Sequence, residues 1–411
     1  MLSPNPFSLL CAILLCLPLA FIFTVTSPSS SSNSSSDDAG ATTTTTNGNY
    51  IRKIQVRNIV PSTNNIEQNK NSEIKSTIVS RPQPPPAVIP EDDESLFRIA
   101  GRVNRNPSPT GATKKLAFMF LTTSDLPFAP LWERFFLPNQ TQQQNNRTKL
   151  FNIYIHADPS SHYDQPFSGV FSGRTIPSKP TQRFTPSLVS AARRLLAHAL
   201  LDDPSNAMFS LLSPSCIPLR SFGFTYRTLI GSDKSFIEIL KDEPGSFDRY
   251  AARGPDAMLP EVPFESFRIG SQFFVLTRRH ARLVVKDRRL WSKFKLSCVQ
   301  WDTCYPEENY FPTLLSMQDP RGCVPATLTH VNWTGRYDGH PWTYQASEVS
   351  PDLILSLRQA RPRYGDDANS TANGSDSSVS KRHDPFLFAR KFSPDSLQPL
   401  MEIADDVIFR D

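Results

Sequence analysis

The chain has 411 residues, of which 38% are hydrophobic and 20% charged, and its formal net charge is +5. Prolines outnumber glycines by 37 to 16, and the prolines and serines are concentrated in the first hundred residues. The remainder, from about residue 97, has ordinary globular composition and is long enough to bury about 75% of its unfolded surface. Collagen, coiled coil, a wholly disordered chain and a polytopic membrane protein are therefore excluded, and no nucleic-acid partner is expected.

The N-terminus carries the only long apolar run, residues 7–25. About 17–25 apolar residues suffice to cross a bilayer, so we predict that residues 1–26 are a cytoplasmic tip and a signal-anchor helix. A cleaved signal peptide is the alternative, and both place the rest of the chain in the secretory lumen. Glycosylation sequons agree with that compartment. They begin at Asn33, Asn139, Asn146, Asn332, Asn369 and Asn373.

Two segments have the composition of unfolded chain. Residues 27–96 are rich in Ser, Thr and Asn and end in a proline-rich stretch, which predicts a disordered stem. Residues 361–383 are rich in Ser, Asn, Gly and Asp, which predicts a disordered loop inside the folded domain of residues 97–411.

The folded domain begins with alternating strand and helix signals. Apolar runs at 115–121, 150–155 and 207–212 indicate buried strands, and residues 128–136 indicate a helix. A second helix begins at Thr185-Pro186 and has one apolar face. This order predicts an α/β fold with a sheet covered by helices on both faces. Ligands in such folds bind at the carboxyl ends of strands, which points to His156, Asp158 and the turn at 213–219.

Residues 304–313 contain two adjacent carboxylates, Glu307 and Glu308, at the start of a predicted helix. They either compensate the helix dipole or present one general base to a cleft. Neighbours on a helix diverge by about 100°, so only one of them can face a given point. A glycosidase pair is therefore disfavoured, because its two carboxyls must flank one bond.

The sequence has no glycine-rich phosphate loop and no Asp-x-Asp triplet. Arg390 and Lys391 instead follow an apolar strand-like run, where they are either solvated or able to neutralise a leaving diphosphate without a metal. His156 and Asp158 either orient a nucleotide or cap the turn that follows them.

Four cysteines lie in the predicted lumenal part, at positions 216, 298, 304 and 323. In an oxidising lumen they allow up to two disulfides in three pairings. The closest pair, Cys298 and Cys304, is the preferred bridge.

Several motifs, taken in order, resemble the plant branch of the core-2/I-branching β-1,6-N-acetylglucosaminyltransferase family over residues 114–411. They include Tyr154-Ile-His-Ala-Asp158, Gly270-Ser-Gln-Phe-Phe274, residues 304–313 and Leu387-Phe-Ala-Arg-Lys-Phe392. The resemblance implies an inverting enzyme of the GT-A-like, Rossmann-type fold in a Golgi type II membrane protein. It also implies a UDP-sugar donor, a glycan or glycoprotein acceptor, and neither a metal nor another cofactor.

The same resemblance implies roles for individual residues. Glu308 matches the catalytic base, and Lys391, helped by Arg390, matches the cation that holds the donor diphosphate. His156 and Asp158 match the nucleotide-binding strand end. Gly270, Ser271, Trp333 and Glu307 match the acceptor pocket.

The chain departs from the usual family pattern at Phe184, Pro214 and Asn309. These changes lie at predicted pocket positions and leave the transferred sugar open between N-acetylglucosamine, glucuronic acid and others. They also motivate an alternative, in which the chain is a non-catalytic glycan-binding or scaffolding protein on the same fold. A hydrolase that uses Glu307 and Glu308 is the least favoured interpretation.

Overall fold

The computed structural model describes residues 90–106, 111–137, 147–163, 167–336, 339–366 and 382–411. The predicted anchor, almost all of the predicted stem and most of the predicted internal loop lie outside these residues. Among the helices in these ranges, none is long and apolar enough to cross a membrane.

Two sheets organise the described residues. The first has the strand order β2-β1-β3-β6-β5-β7, and the second has the order β4-β9-β8. The strands are β1 Lys115–Thr122, β2 Phe151–Ala157, β3 Asn206–Leu212, β4 Ile217–Pro218, β5 Ser235–Phe236, β6 Val275–Thr277, β7 Cys323–Val324, β8 Thr329–Val331 and β9 Phe388–Arg390. β1 pairs in parallel with both β2 and β3, whereas β6 is antiparallel to β3 and to β5. The first sheet is therefore mixed.

Helices cover both faces of the first sheet. In chain order they are α1 Asp93–Ala100, α2 Ala129–Phe136, α3 Pro186–Asp202, α4 Phe222–Ile230, α5 Ser246–Ala251, α6 Arg278–Lys286, α7 Trp291–Phe294, α8 Pro306–Gln318, α9 Pro351–Gln359 and α10 Leu397–Glu402. The predicted α/β class with a mixed sheet flanked by helices is confirmed.

Strand β1 is almost continuously apolar because both of its faces are buried. Phe118 and Phe120 belong to one hydrophobic core, together with α2, and Met119 belongs to a second core, together with α3. Successive side chains of a strand point to opposite faces, so a strand covered on both faces needs apolar residues at every position. The site described below is thus held by a sheet with two buried faces.

Helix α3 begins as predicted. The Thr185 side chain accepts a hydrogen bond from the Ser187 N–H, and Pro186 is the first helical residue. The helix is, however, buried on all sides over residues 191–200, because α1 and α6 pack on the side away from the sheet. The folded part thus includes α1 from Asp93, with Leu96 fully buried, and not only residues from 97. Helix α1 was missed because it follows directly on a proline-rich stretch.

Candidate active site

A cleft of about 900 Å³ lies where β1 and β3 end, lined there by Thr122, Ser213 and Pro214. This is the edge at which α/β sheets bind ligands. The cleft gathers seven of the residues that the sequence singled out. They are Gly270, Ser271, Glu307, Glu308, Trp333, Arg390 and Lys391.

Glu308 lies in the first turn of α8, which begins at Pro306. Its Oε2 atom forms an ion pair with Nη1 of Arg249 at 2.8 Å, and the Glu308 side chain is 32% exposed. The Arg249 guanidinium in turn stacks on the Tyr305 ring, 4.5 Å from its centroid. A carboxylate that is partly exposed to a cleft and held from one side is suitably placed to accept a proton.

Gly270 fixes the position of this helical turn. Its N–H donates a hydrogen bond of 2.8 Å to the Glu308 carbonyl. A Cβ atom at Gly270 would overlap the carbonyl oxygen of Glu238 and lie 2.9 Å from its carbonyl carbon. Gly270 therefore permits a close approach of two backbone segments directly beneath Glu308.

Replacing Gly270 by Ala is expected to lower the free energy of unfolding by about 1–3 kcal/mol, because a backbone segment must move to admit the methyl group. Denaturant unfolding measures this change. Gly223→Ala is the matched control, since a Cβ there meets only the end of the Arg227 side chain at 3.3 Å and the Ser221 hydroxyl. Equal stability of the two variants would contradict the close approach at Gly270.

Two carboxyls of the cleft, those of Glu307 and Glu238, have raised pKa values. Burial raises the pKa of Glu307 to about 7, and the neighbouring Glu308 charge adds to this effect. Glu307 is 4% exposed, and its Oε2 atom has no hydrogen-bond partner among the described residues. Burial also raises the pKa of Glu238 to about 7, against the lowering effect of Arg363. Raised carboxyl pKa values in a cleft are typical of functional sites.

Glu307 should therefore make stability depend on pH. With a folded pKa of about 7, raised from 4.5, the folded state binds more protons than the unfolded state between these values. Its contribution to stability is therefore lost as the pH rises through that window. Between pH 5 and pH 8, the free energy of unfolding of the wild type should fall by about 2 kcal/mol more than that of Glu307→Gln. Parallel wild-type and variant curves would contradict this, and exposed Glu265→Gln is the control.

Arg390 is the last residue of β9, and Lys391 directly follows it. The Arg390 guanidinium lies 4.2 Å from the centroid of the Phe273 ring. Burial lowers the pKa of Arg390, against the raising effects of Cys216 and of the Glu308 charge. The Lys391 backbone is held by the 342–344 segment, since its carbonyl accepts the Tyr344 N–H at 2.9 Å.

His156 and Asp158, predicted to bind the nucleotide, are both buried at the end of β2. They are 0% and 1% exposed, and neither lines the cleft. His156 accepts the Lys179 N–H, and Asp158 accepts hydrogen bonds from the N–H groups of Ser160 and Thr181. The segment at 175–181 thus covers the end of β2. Asp158 contacts two residues that line the cleft, since its carboxylate accepts the Thr181 N–H and its own N–H donates to the Thr122 carbonyl at 3.1 Å.

The pKa values of His156 and Asp158 reflect their burial and their hydrogen bonds. Burial lowers the pKa of His156 to about 4. Burial alone would raise the pKa of Asp158, but the hydrogen bonds from Ser160 and Thr181 outweigh it and lower the pKa to about 2. Both side chains thus brace the segments at 158–160 and 179–181, and their nucleotide-binding role stays a prediction.

Ser271 and Trp333 line the cleft, and their role in acceptor binding stays a prediction. The Ser271 hydroxyl accepts the Phe273 N–H at 3.1 Å. Trp333 is 51% exposed, so one side of its ring system is open to solvent. An open aromatic face can pack against an apolar face of a ligand.

Several charged residues of the cleft were missed by sequence reasoning. They are Arg183, Glu238, Glu243, Arg249, Arg361 and Arg363. No motif surrounds them, and only their spatial convergence marks them.

The start of the predicted loop at 361–383 needs correction. Arg363 forms an ion pair of 2.5 Å with Glu243, and Asp366 accepts the Lys241 N–H at 3.0 Å. Tyr364 is 2% exposed. Residues 361–366 are therefore part of the cleft wall.

The remaining predictions concern cysteines and sequons. The structure joins Cys298 to Cys304, while Cys216 and Cys323 are buried free thiols. Asn332 is partly buried, and its side-chain oxygen accepts the Thr334 N–H at 2.9 Å. The other five sequons lie outside the described residues. Within the described ranges, no group of three or more His, Cys, Asp or Glu residues could hold a metal ion.

An α/β sheet whose end cleft combines carboxylates with basic residues is suited to group transfer from an anionic donor. The family model of the Core-2/I-Branching enzyme matches residues 116–358. Glycosyltransferase BC10 of Oryza sativa subsp. japonica is 31% identical over an alignment of 326 positions, which covers 71% of this chain and 76% of the rice protein. The chain therefore belongs to the core-2/I-branching enzyme family and is a glycosyltransferase, as the motifs indicated.

A solved structure of the galactosyltransferase LgtC in complex with donor and acceptor sugar analogues also matches. It covers 72% of this chain and 98% of its own, with 8% identity and a TM-score of 0.32.

Proposed function

We propose that the chain is an inverting, metal-independent glycosyltransferase of the Golgi lumen. It transfers N-acetylglucosamine or glucuronic acid from a UDP-sugar to a glycan on a secreted glycoprotein or proteoglycan. The observation that carries the proposal is the convergence of Glu308, Arg390 and Lys391 on one cleft, although more than 80 residues separate the base from the cations. The proposed Golgi location depends on the apolar run at 7–25, which lies outside the described residues.

Glu308 acts as the general base. Arg249 holds Oε2, and no donor in the described part of the chain binds Oε1. Oε1 takes the proton from the acceptor hydroxyl as that oxygen forms a bond to the anomeric carbon. The bond from this carbon to the diphosphate oxygen breaks, and UDP leaves from the opposite face. One displacement of this kind inverts the anomeric configuration.

Lys391 and Arg390 stabilise the leaving diphosphate. Its charge grows as the glycosidic bond breaks, and fixed cations in a partly dry cleft stabilise it without reorganisation. Arg390 supplies a planar fork of donors, whereas Lys391 supplies a compact point charge. The Arg390 guanidinium packs on the Phe273 ring, and both residues line the cleft.

A donor screen tests the proposal. The purified full chain is incubated with a panel of UDP-sugars, with and without glycan acceptors, and released UDP is measured. We expect release with one donor class and stimulation by an acceptor. Failure to bind UDP and to turn over every donor would contradict the proposal and favour the glycan-binding alternative.

Metal removal is a separate prediction. Because Lys391 and Arg390 supply the positive charge, transfer is expected to keep nearly its full rate in EDTA. The rate is measured with EDTA alone and with EDTA followed by excess Mn²⁺. Loss of activity in EDTA that Mn²⁺ restores would show that the diphosphate is held by a metal.

A further inference from the structure

A second cavity, of about 700 Å³, lies where α1, α3, α6 and α7 meet. It shares no lining residue with the cleft. Both Phe97 and Trp291 are half-buried in its wall, and Arg193 of α3 also lines it. We call it the basic groove because of its remaining cations. They are Arg98, Arg102, Arg282, Lys286, Arg288 and Lys295.

Arg193 is an unusual buried cation. It is 1% exposed, and its guanidinium lies over the rings of Phe97 and Trp291 at 4.5 and 4.8 Å. Its Nη2 donates to the carbonyls of Val285 and Asp287, but Nε and Nη1 have no partner among the described residues. A buried charge is costly unless it is paired. Packing between the rings explains the position of the side chain but leaves Nε and Nη1 without a partner among the described residues.

Among the described residues, no acidic side chain of the groove forms an ion pair with Arg193. Asp93 pairs with Arg194, and the Asp287 carboxylate accepts hydrogen bonds from the Trp291 N–H and from other groups. Glu94 lies 3.7 Å from Arg288. Three carboxylates thus face seven cations, and the groove carries a net positive charge.

The groove is separated from the cleft by helix α8. Tyr310 lies 5.8 Å beneath the Arg193 guanidinium, two residues beyond Glu308 on the same helix. Residues two apart on a helix point about 200° apart, so the two side chains face opposite sides of α8. A ligand in the groove would therefore not occupy the donor or acceptor site.

We propose that the basic groove binds an oxyanion, namely a sulfate or phosphate group carried on a saccharide. Arginine donors match the oxygens of both groups in a bidentate manner. Arg98 of α1 and Arg102, two residues beyond the end of this helix, are exposed and line the groove. The half-exposed rings of Phe97 and Trp291 offer flat apolar faces to a sugar ring. The proposal does not depend on turnover in the cleft.

Calorimetry on the purified full chain tests it with a heparin-derived sulfated tetrasaccharide, its desulfated counterpart and sodium sulfate. We expect the sulfated saccharide to bind, the desulfated one not to bind, and sodium sulfate to compete weakly. Arg98→Glu/Arg102→Glu should weaken binding about tenfold or more. Arg174→Glu/Arg410→Glu, an equal charge change at exposed residues outside the groove, should bind like the wild type.

Three results would overturn the proposal. They are equal weakening in both double variants, binding of the desulfated saccharide, and sodium sulfate binding as tightly as the tetrasaccharide. The last would assign the groove to a free ion. Arg193→Met keeps much of the packing between Phe97 and Trp291 and removes the charge. It should weaken saccharide binding while leaving UDP binding unchanged. If this variant does not fold, the comparison of Arg98→Glu/Arg102→Glu with Arg174→Glu/Arg410→Glu tests the proposal.

Discussion

Glu308→Gln is expected to lower the rate of sugar transfer by about 10²–10⁴-fold, because the amide cannot accept the proton of the acceptor hydroxyl. UDP binding should stay near the wild-type value, since the diphosphate is assigned to Lys391 and Arg390. Loss of the ion pair to Arg249 should change the free energy of unfolding by only about 0–1 kcal/mol, because both partners are partly exposed. The measurements are initial rates at saturating donor and acceptor, UDP titration and a melting curve.

The matched control for this variant is Glu265→Gln, the same change at an exposed glutamate outside the cleft. It should transfer sugar at the wild-type rate. If Glu308→Gln also turned over at that rate, the general base would have to be another group. Glu307 and Glu238 would then be the next candidates, because both line the cleft and have a pKa of about 7.

Lys391→Met is expected to reduce kcat by roughly 10²–10³-fold, the usual cost of removing one preorganised group that stabilises developing negative charge. Methionine keeps most of the aliphatic length, so the loss reports the ammonium group rather than packing. UDP affinity should fall as well, because the cation also contacts the diphosphate before reaction. Rates, UDP titration and melting temperature are measured together.

Lys114→Met, at an exposed lysine outside the cleft, is the control for the loss of a positive charge. If Lys391→Met lost activity only at low salt and regained it with added Mn²⁺, the lysine would serve general electrostatics and a metal would hold the donor. Arg390 cannot fully replace Lys391, because it is packed on Phe273.

Local pattern predicted the strands and helices around the site with small errors. The continuous apolar run of β1 and the Thr185-Pro186 start of α3 each depend on residues close in sequence, so composition and spacing reveal them. The stem boundary and the loop at 361–366 were misplaced for the opposite reason. Leu96 and Tyr364 are ordered by partners far along the chain, which no local pattern records.

The amino-acid order alone determined the class of fold and the family. It also predicted the catalytic carboxylate and the donor-binding cations, because these follow from short motifs. Only the tertiary structure decided which side chains share the cleft. It buried His156 and Asp158 beneath the segment at 175–181 and brought Arg249 to Glu308 across 59 positions. It also assembled the basic groove from four helices. Long-range packing sets such contacts, and contacts between residues that are distant in the sequence leave no local pattern in it.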